Sequence, residues 1–82
     1  MTTIMYGTKH CPDVRAALVE IADKGLDIEF RNFDDSVAYL KEFVLMRDKR
    51  AEFADKKENG YLGIPCFVTE DGKIFFELKD IL

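Results

Sequence analysis

Two cysteines, each beside a proline, hold most of the chemistry this 82-residue chain could perform. Cys11 immediately precedes Pro12 and a stretch with helical spacing. A thiol at that junction faces the unpaired N–H groups and positive dipole end of a helix, both of which favour thiolate. An ordinary thiol is only about 3% ionised at pH 7, and a fall of about two pKa units would make it mostly thiolate. Lys9, and His10 when protonated, push the same way, while Asp13 opposes ionisation of the thiol but suits the helix start. At this junction the reactive reading of Cys11 outweighs that of a small buried hydrophobe. Cys66 follows Ile64-Pro65 and admits two readings: a packed strand residue beside Phe67, or a second thiol able to reach Cys11. His10 reads as an exposed loop residue ahead of a base or ligand.

The elements that must position these residues follow from apolar spacing. Thr2 to Tyr6 is rich in strand formers and is stopped by Gly7. Val14, Ala17, Leu18, Ile21 and Ala22 form one helical stripe, with Pro12 suited to the first turn and Gly25 to a left-handed cap. Leu26, Ile28 and Phe30 alternate with Asp27, Glu29 and Arg31, predicting a strand over 26–33. Asp34, Asp35 and Ser36 are candidate caps for a helix carrying Val37, Leu40, Phe43 and Val44. The charged stretch from Arg47 to Asn59, with only Ala51, Phe53 and Ala54 as apolar contacts, is expected to continue as a second, mostly exposed helix ended by Gly60. Ile64 to Thr69 and Lys73 to Glu77 flank Glu70-Asp71-Gly72, a hairpin signal, and Leu78 to Leu82 leaves room for one more turn. The order β-α-β-α-(α)-β-β predicts an α/β fold: a four-stranded mixed sheet flanked by helices. No repeat or linker divides residues 1–82, so one domain is expected.

Composition closes off several other classes. Sixteen acidic against 12 basic residues give a net charge of −4, which argues against nucleic acid as a main partner. The longest wholly apolar runs, Ala16 to Val19 and Phe43 to Met46, are too short for a transmembrane helix. No secretory leader is visible at the start, so a cytoplasmic monomer is the default expectation. Two cysteines and one histidine are too few for a disulfide framework or a four-ligand zinc site, so no metal is expected.

Cys11-Pro12 at the first helix and Gly60-x-x-Gly63-Ile64-Pro65 before the third strand resemble a glutaredoxin, a family with the thioredoxin fold. The match covers nearly the whole chain up to a shortened C-terminal helix. It is similar above all to small bacterial glutaredoxin-related proteins, through Tyr6-Gly7-Thr8, Cys11-Pro12-Asp13 and Gly63-Ile64-Pro65-Cys66-Phe67. The resemblance implies that Cys11 is the attacking thiol and that Pro65 is a cis-proline beside it. It also implies that Ile64 pairs by its backbone with glutathione or a substrate peptide. Pro12 belongs to the same binding loop, and Lys9 lies near where the family often places a lysine that meets a glutathione carboxylate. The departures are specific. A dithiol member would carry its second cysteine at position 14, where Val14 stands. Tyr61 and Leu62 occupy positions where glutathione binders commonly have a basic residue, and Phe75-Phe76-Glu77-Leu78 replaces the usual glycine pair and acidic capping residues.

The leading expectation is therefore a monothiol thiol–disulfide oxidoreductase acting through a Cys11 mixed disulfide with glutathione or a protein thiol, with Cys66 as a possible resolving thiol. It needs no cofactor beyond a reducing thiol. The alternative is a redox-inactive thioredoxin-fold protein-binding module. An iron–sulfur carrier assisted by glutathione ranks third.

Overall fold

Strand-forming residues Thr3–Gly7 make β1 at the centre of the sheet in the computed structural model, which describes residues 2–82. Helix α1 (Pro12–Lys24) follows, then β2 (Ile28–Asn32) and α2 (Val37–Lys49). A 3-10 turn (Ala51–Phe53) leads into the short α3 (Ala54–Glu58). Strands β3 (Cys66–Val68) and β4 (Ile74–Phe75) precede a last 3-10 turn, Leu78–Ile81. The strand order is β2-β1-β3-β4, with β1 parallel to β2 and antiparallel to β3, and β4 antiparallel to β3. The fold is thus α/β, a four-stranded mixed sheet flanked by helices, in the element order the spacing predicts. Among the described residues, no helix is long and apolar enough to cross a membrane.

Side chains on a strand alternate between faces, and the register turns that alternation into two cores. Met5 lies opposite Phe67, and both are fully buried with Val14, Ala17 and Leu78 on the α1 side. The next pair, Tyr6 opposite Cys66, points the other way into Phe43, Phe53 and Ile74. Adjacent Phe75 and Phe76 divide likewise, one packed against each cluster. The α2-side core is aromatic: Phe43 meets Phe53 edge-on at 5.6 Å, and Phe53 meets Phe76 edge-on at 5.2 Å. Such geometry adds to area burial because ring edges carry the opposite partial charge to ring faces.

Local boundaries differ from expectation in four places. The first strand is Thr3–Gly7, with Gly7 paired to Asn32 as its last residue instead of stopping it. The second strand starts at Ile28 instead of 26, because Leu26 completes the exit of α1: Gly25 (φ 60) donates to Ala22 O and Leu26 N–H to Ile21 O. The charged stretch is not one exposed helix. It breaks at Arg50 (φ −95, ψ 133), and Phe53 is fully buried. In an unbroken helix Phe53 would sit about 80° away from the face of Phe43; the break and 3-10 turn bring the two rings together. The hairpin strands are also shorter than 64–69 and 73–77, since regular pairing begins only after Pro65 and ends at Phe75. Of the candidate caps, Ser36 is used, its hydroxyl accepting from Ala38 N–H at 3.1 Å.

Candidate active site at the head of the first helix

Cys11 is the N-cap of α1, in extended backbone conformation (φ −88, ψ 126), with its thiol half-buried. Its carbonyl accepts the first helical bond, from Arg15 N–H at 3.1 Å, and its own N–H donates to Thr8 O at 3.1 Å. Pro12 can start the helix here because the N–H it lacks would have had no helical partner.

The turn leading into Cys11 is anchored to β2. Asn32, a buried polar residue at the end of that strand, accepts from Asp34 N–H through its side chain and from Asp35 N–H through its backbone. That turn places Asp34 where its carboxylate accepts from the Thr8 hydroxyl at 2.8 Å and lies 3.6 Å from His10 Nε2. The Arg15 guanidinium donates to Lys9 O at 2.9 Å and closes the loop from the other side.

The facing wall is the segment Tyr61–Pro65. Gly63 (φ 94) is buried where a Cβ would come within 3.1 Å of the Phe53 ring, a combination that only glycine satisfies easily. The Ile64–Pro65 bond is cis. Arg47 on α2 holds the segment in place: its Nη2 donates to Tyr61 O at 2.8 Å and its Nε to Leu62 O at 2.9 Å. A planar guanidinium can serve two successive carbonyls in this way, which an ammonium cannot. The Tyr61 and Leu62 side chains are left outward, 62% and 48% exposed. Among the described residues, no backbone hydrogen bond engages Ile64 N–H or C=O.

Between the two walls runs an open groove of about 910 Å³, with Cys11, Ile64 and Pro65 all lining it. Of the remaining residues singled out from the sequence, Lys9 and Pro12 are exposed but do not line the groove. The lysine that does is Lys56, whose Nζ sits 4.8 Å from the centre of the Phe76 ring. Phe76, Glu77 and Leu78 come to the same wall from beyond the hairpin. Lys56 and Glu77 carry no motif, so only proximity in the fold reveals them. Arg47 was legible as a helical residue but not as the clamp on a loop 14 residues away.

Cys66 is placed elsewhere. It has no exposed surface, lies on the α2 side of the sheet and packs with Tyr6, Phe43 and Phe53, while Cys11 packs against the α1-side core. Burial, reinforced by the charge of Glu52 and only partly offset by Arg50, pushes its thiol up to about 12. Of the two readings of Cys66, the packing agrees with the strand residue beside Phe67 and speaks against the resolving thiol: Cys66 is buried in the α2-side cluster, and Cys11 packs against the α1-side one. Val14 is sealed as well. It is fully buried, and a Cβ on Gly7 would come within 2.7 Å of its Cγ2, so β1 passes hard against the position a second thiol would occupy. Both cysteines are free thiols.

Among curated proteins, an uncharacterized protein of Haemophilus influenzae (strain ATCC 51907 / DSM 11121 / KW20 / Rd) is 33% identical over 78 residues, which cover 95% of this chain and 91% of the relative. No family model and no solved structure matches the chain.

Proposed function

We propose that this chain, which belongs to one family with the Haemophilus influenzae protein, is a monothiol thiol–disulfide oxidoreductase of the glutaredoxin type with a thioredoxin-like fold. One observation carries the reading. A half-buried cysteine at the head of α1 shares a groove with Ile64, whose backbone donor and acceptor have no partner within the described residues. An extended cysteine-containing ligand could add its own main chain to Ile64 while presenting sulfur to Cys11.

The chemistry is thiol–disulfide exchange. Cys11 Sγ, as thiolate, attacks one sulfur of a glutathione or protein disulfide. A new S–S bond forms to Cys11, the old one breaks, and the electron pair leaves on the departing sulfur. The proton that Cys11 gave up is available to that leaving thiolate. A second thiol from solution then attacks the mixed disulfide and returns Cys11 to its reduced form. Because Cys66 lies behind the sheet and Val14 carries no sulfur, this second thiol must come from outside the chain. A cycle that depends on an external reductant suits a thiol-rich compartment, which supports a cytoplasmic reading.

The sealed Val14 and the exposed Tyr61 and Leu62 favour a second reading, a redox-inactive protein-binding module. Intact mass spectrometry after treatment with glutathione disulfide or a peptide disulfide separates the two. The oxidoreductase forms one adduct, lost in Cys11→Ser, retained in Cys66→Ser and removed by added thiol. A folded protein whose Cys11 is alkylated readily yet forms no adduct with either disulfide is the binding module instead.

A further inference from the structure

The charges around the groove bear on which disulfide it accepts, an inference that rests on the exchange reaction proposed above. Among the described residues three carboxylates line the groove: Asp13, two residues from the thiol, Glu20 more than two turns along α1, and Glu77 on the wall beyond the hairpin. Glu20 and Glu77 each have a surface lysine partner, Lys24 at 2.8 Å and Lys79 at 3.1 Å, and neither lysine lines the groove. Asp13 is exposed and has no ion pair or hydrogen bond among the described residues. The one lysine that lines the groove among the described residues, Lys56, is drawn over the Phe76 ring, and His10 faces Asp34. The lining also offers exposed apolar surface at Tyr61 and Leu62, whose carbonyls are already occupied by Arg47.

Glutathione presents two carboxylates for one ammonium, and on the lining it meets Asp13 beside the reacting sulfur with Lys56 held over Phe76; Lys9, two residues before the thiol, is exposed outside the lining. Like charges placed this close disfavour the encounter, whereas a cationic ligand is steered in. We propose that the physiological partner is a cysteine within a cationic, partly apolar stretch of polypeptide, and that glutathione disulfide is a poor substrate. Lysine or arginine flanking the partner's cysteine would face Asp13 and Glu77, and an apolar neighbour would cover Leu62 and Tyr61. The exchange itself is unchanged: Cys11 Sγ bonds to the partner's sulfur, the partner's disulfide breaks, and its other sulfur leaves as thiolate.

The test measures the rate of Cys11 mixed-disulfide formation, in the Cys66→Ser protein, with three probes. These are glutathione disulfide and two peptide disulfide homodimers, identical except that lysine or glutamate flanks the cysteine. Each rate is divided by that of a small neutral thiol with the same probe, which removes the probe's intrinsic reactivity. The lysine peptide should exceed the glutamate peptide and glutathione disulfide by about tenfold or more. The gap should shrink in Asp13→Asn and Glu77→Gln, and should collapse near 1 M salt, where screening reaches about 3 Å. Equal normalised rates, or glutathione disulfide reacting fastest, overturn the cationic partner while leaving the oxidoreductase intact. Failure of all three probes to form an adduct, with Cys11 still open to alkylation, overturns the exchange reaction and the partner with it.

Discussion

Cys11 and Cys66 are the same residue type, each beside a proline, yet the two faces of the sheet give them opposite environments. On the α1 face the core stops short of the helix head, and the sulfur of Cys11 is left half-buried at the edge of a groove. On the α2 face Phe43, Phe53 and Tyr6 close over Cys66 and leave it no exposed surface. The difference turns on strand parity. Cys66 pairs with Tyr6, one residue along from the Met5–Phe67 pair that faces α1. A one-residue shift in register would have turned this thiol to the α1 side. Proximity to proline in the sequence therefore says nothing about whether a cysteine is available to react; which face it occupies does.

Breaking the aromatic side should have the largest effect. Phe53→Ala removes a fully buried ring that contacts Phe43 and Phe76 and underlies Gly63. A loss of about 3–5 kcal/mol is expected, against a total of roughly 4–12 kcal/mol for a domain of this size. Urea unfolding measures it, and Cys66 should become open to alkylation in the same variant. A change below about 1 kcal/mol would mean that the ring is not packed as described.

The thiols themselves sharpen the comparison next. With its thiol held up to about 12 by burial, Cys66 at pH 8 has a thiolate fraction roughly three orders of magnitude below that of a free thiol. Iodoacetamide should label Cys11 alone in the native protein and both cysteines in urea. The same shift has a sign in stability. The folded chain keeps a proton that the unfolded chain releases above about pH 9, so this stabilisation is whole below about 9 and is lost as pH rises towards 12. Tyr6, raised to about 12 by burial and by Glu42, acts in the same direction. Cys66→Val isolates the cysteine: its stability should fall with pH less steeply than that of the wild type, by up to about 1 kcal/mol per pH unit in that window. Parallel curves would contradict the buried, protonated thiol.

The smallest effect concerns the contact beneath Cys11. Gly7→Ala puts a methyl into the Val14 side chain and should cost about 1–3 kcal/mol. Val14→Ala in the same chain should cost less than it does alone, the mark of two groups competing for one space. Additive losses would remove the claim that β1 seals position 14.

Much of the frame was legible because it rests on local rules. The helix from Pro12 to its glycine cap, a cap for α2 among Asp34, Asp35 and Ser36, the strand alternation and the hairpin turn each follow from a handful of neighbouring residues. The same holds for Cys11, whose place at a helix head depends only on Pro12 and the stripe that follows. The burial of Phe53 was not legible, since the stretch around it is charged and the helix break at Arg50 is stabilised at a distance, by a bond from its guanidinium to Gly72 O. Nor was the Arg47 clamp, which joins residues with no shared pattern.

From sequence alone, then, come the element order, a thiol at the head of the first helix and the lack of a second sulfur at position 14. These depend on spacing and residue type over a few turns of chain. Tertiary structure decided that Cys66 lies behind the sheet, that Lys9 lies outside the groove and that Lys56 and Glu77 lie along it. Those outcomes depend on register and on how distant segments meet. Both are set by the summed packing of two cores, not by any local stretch of residues.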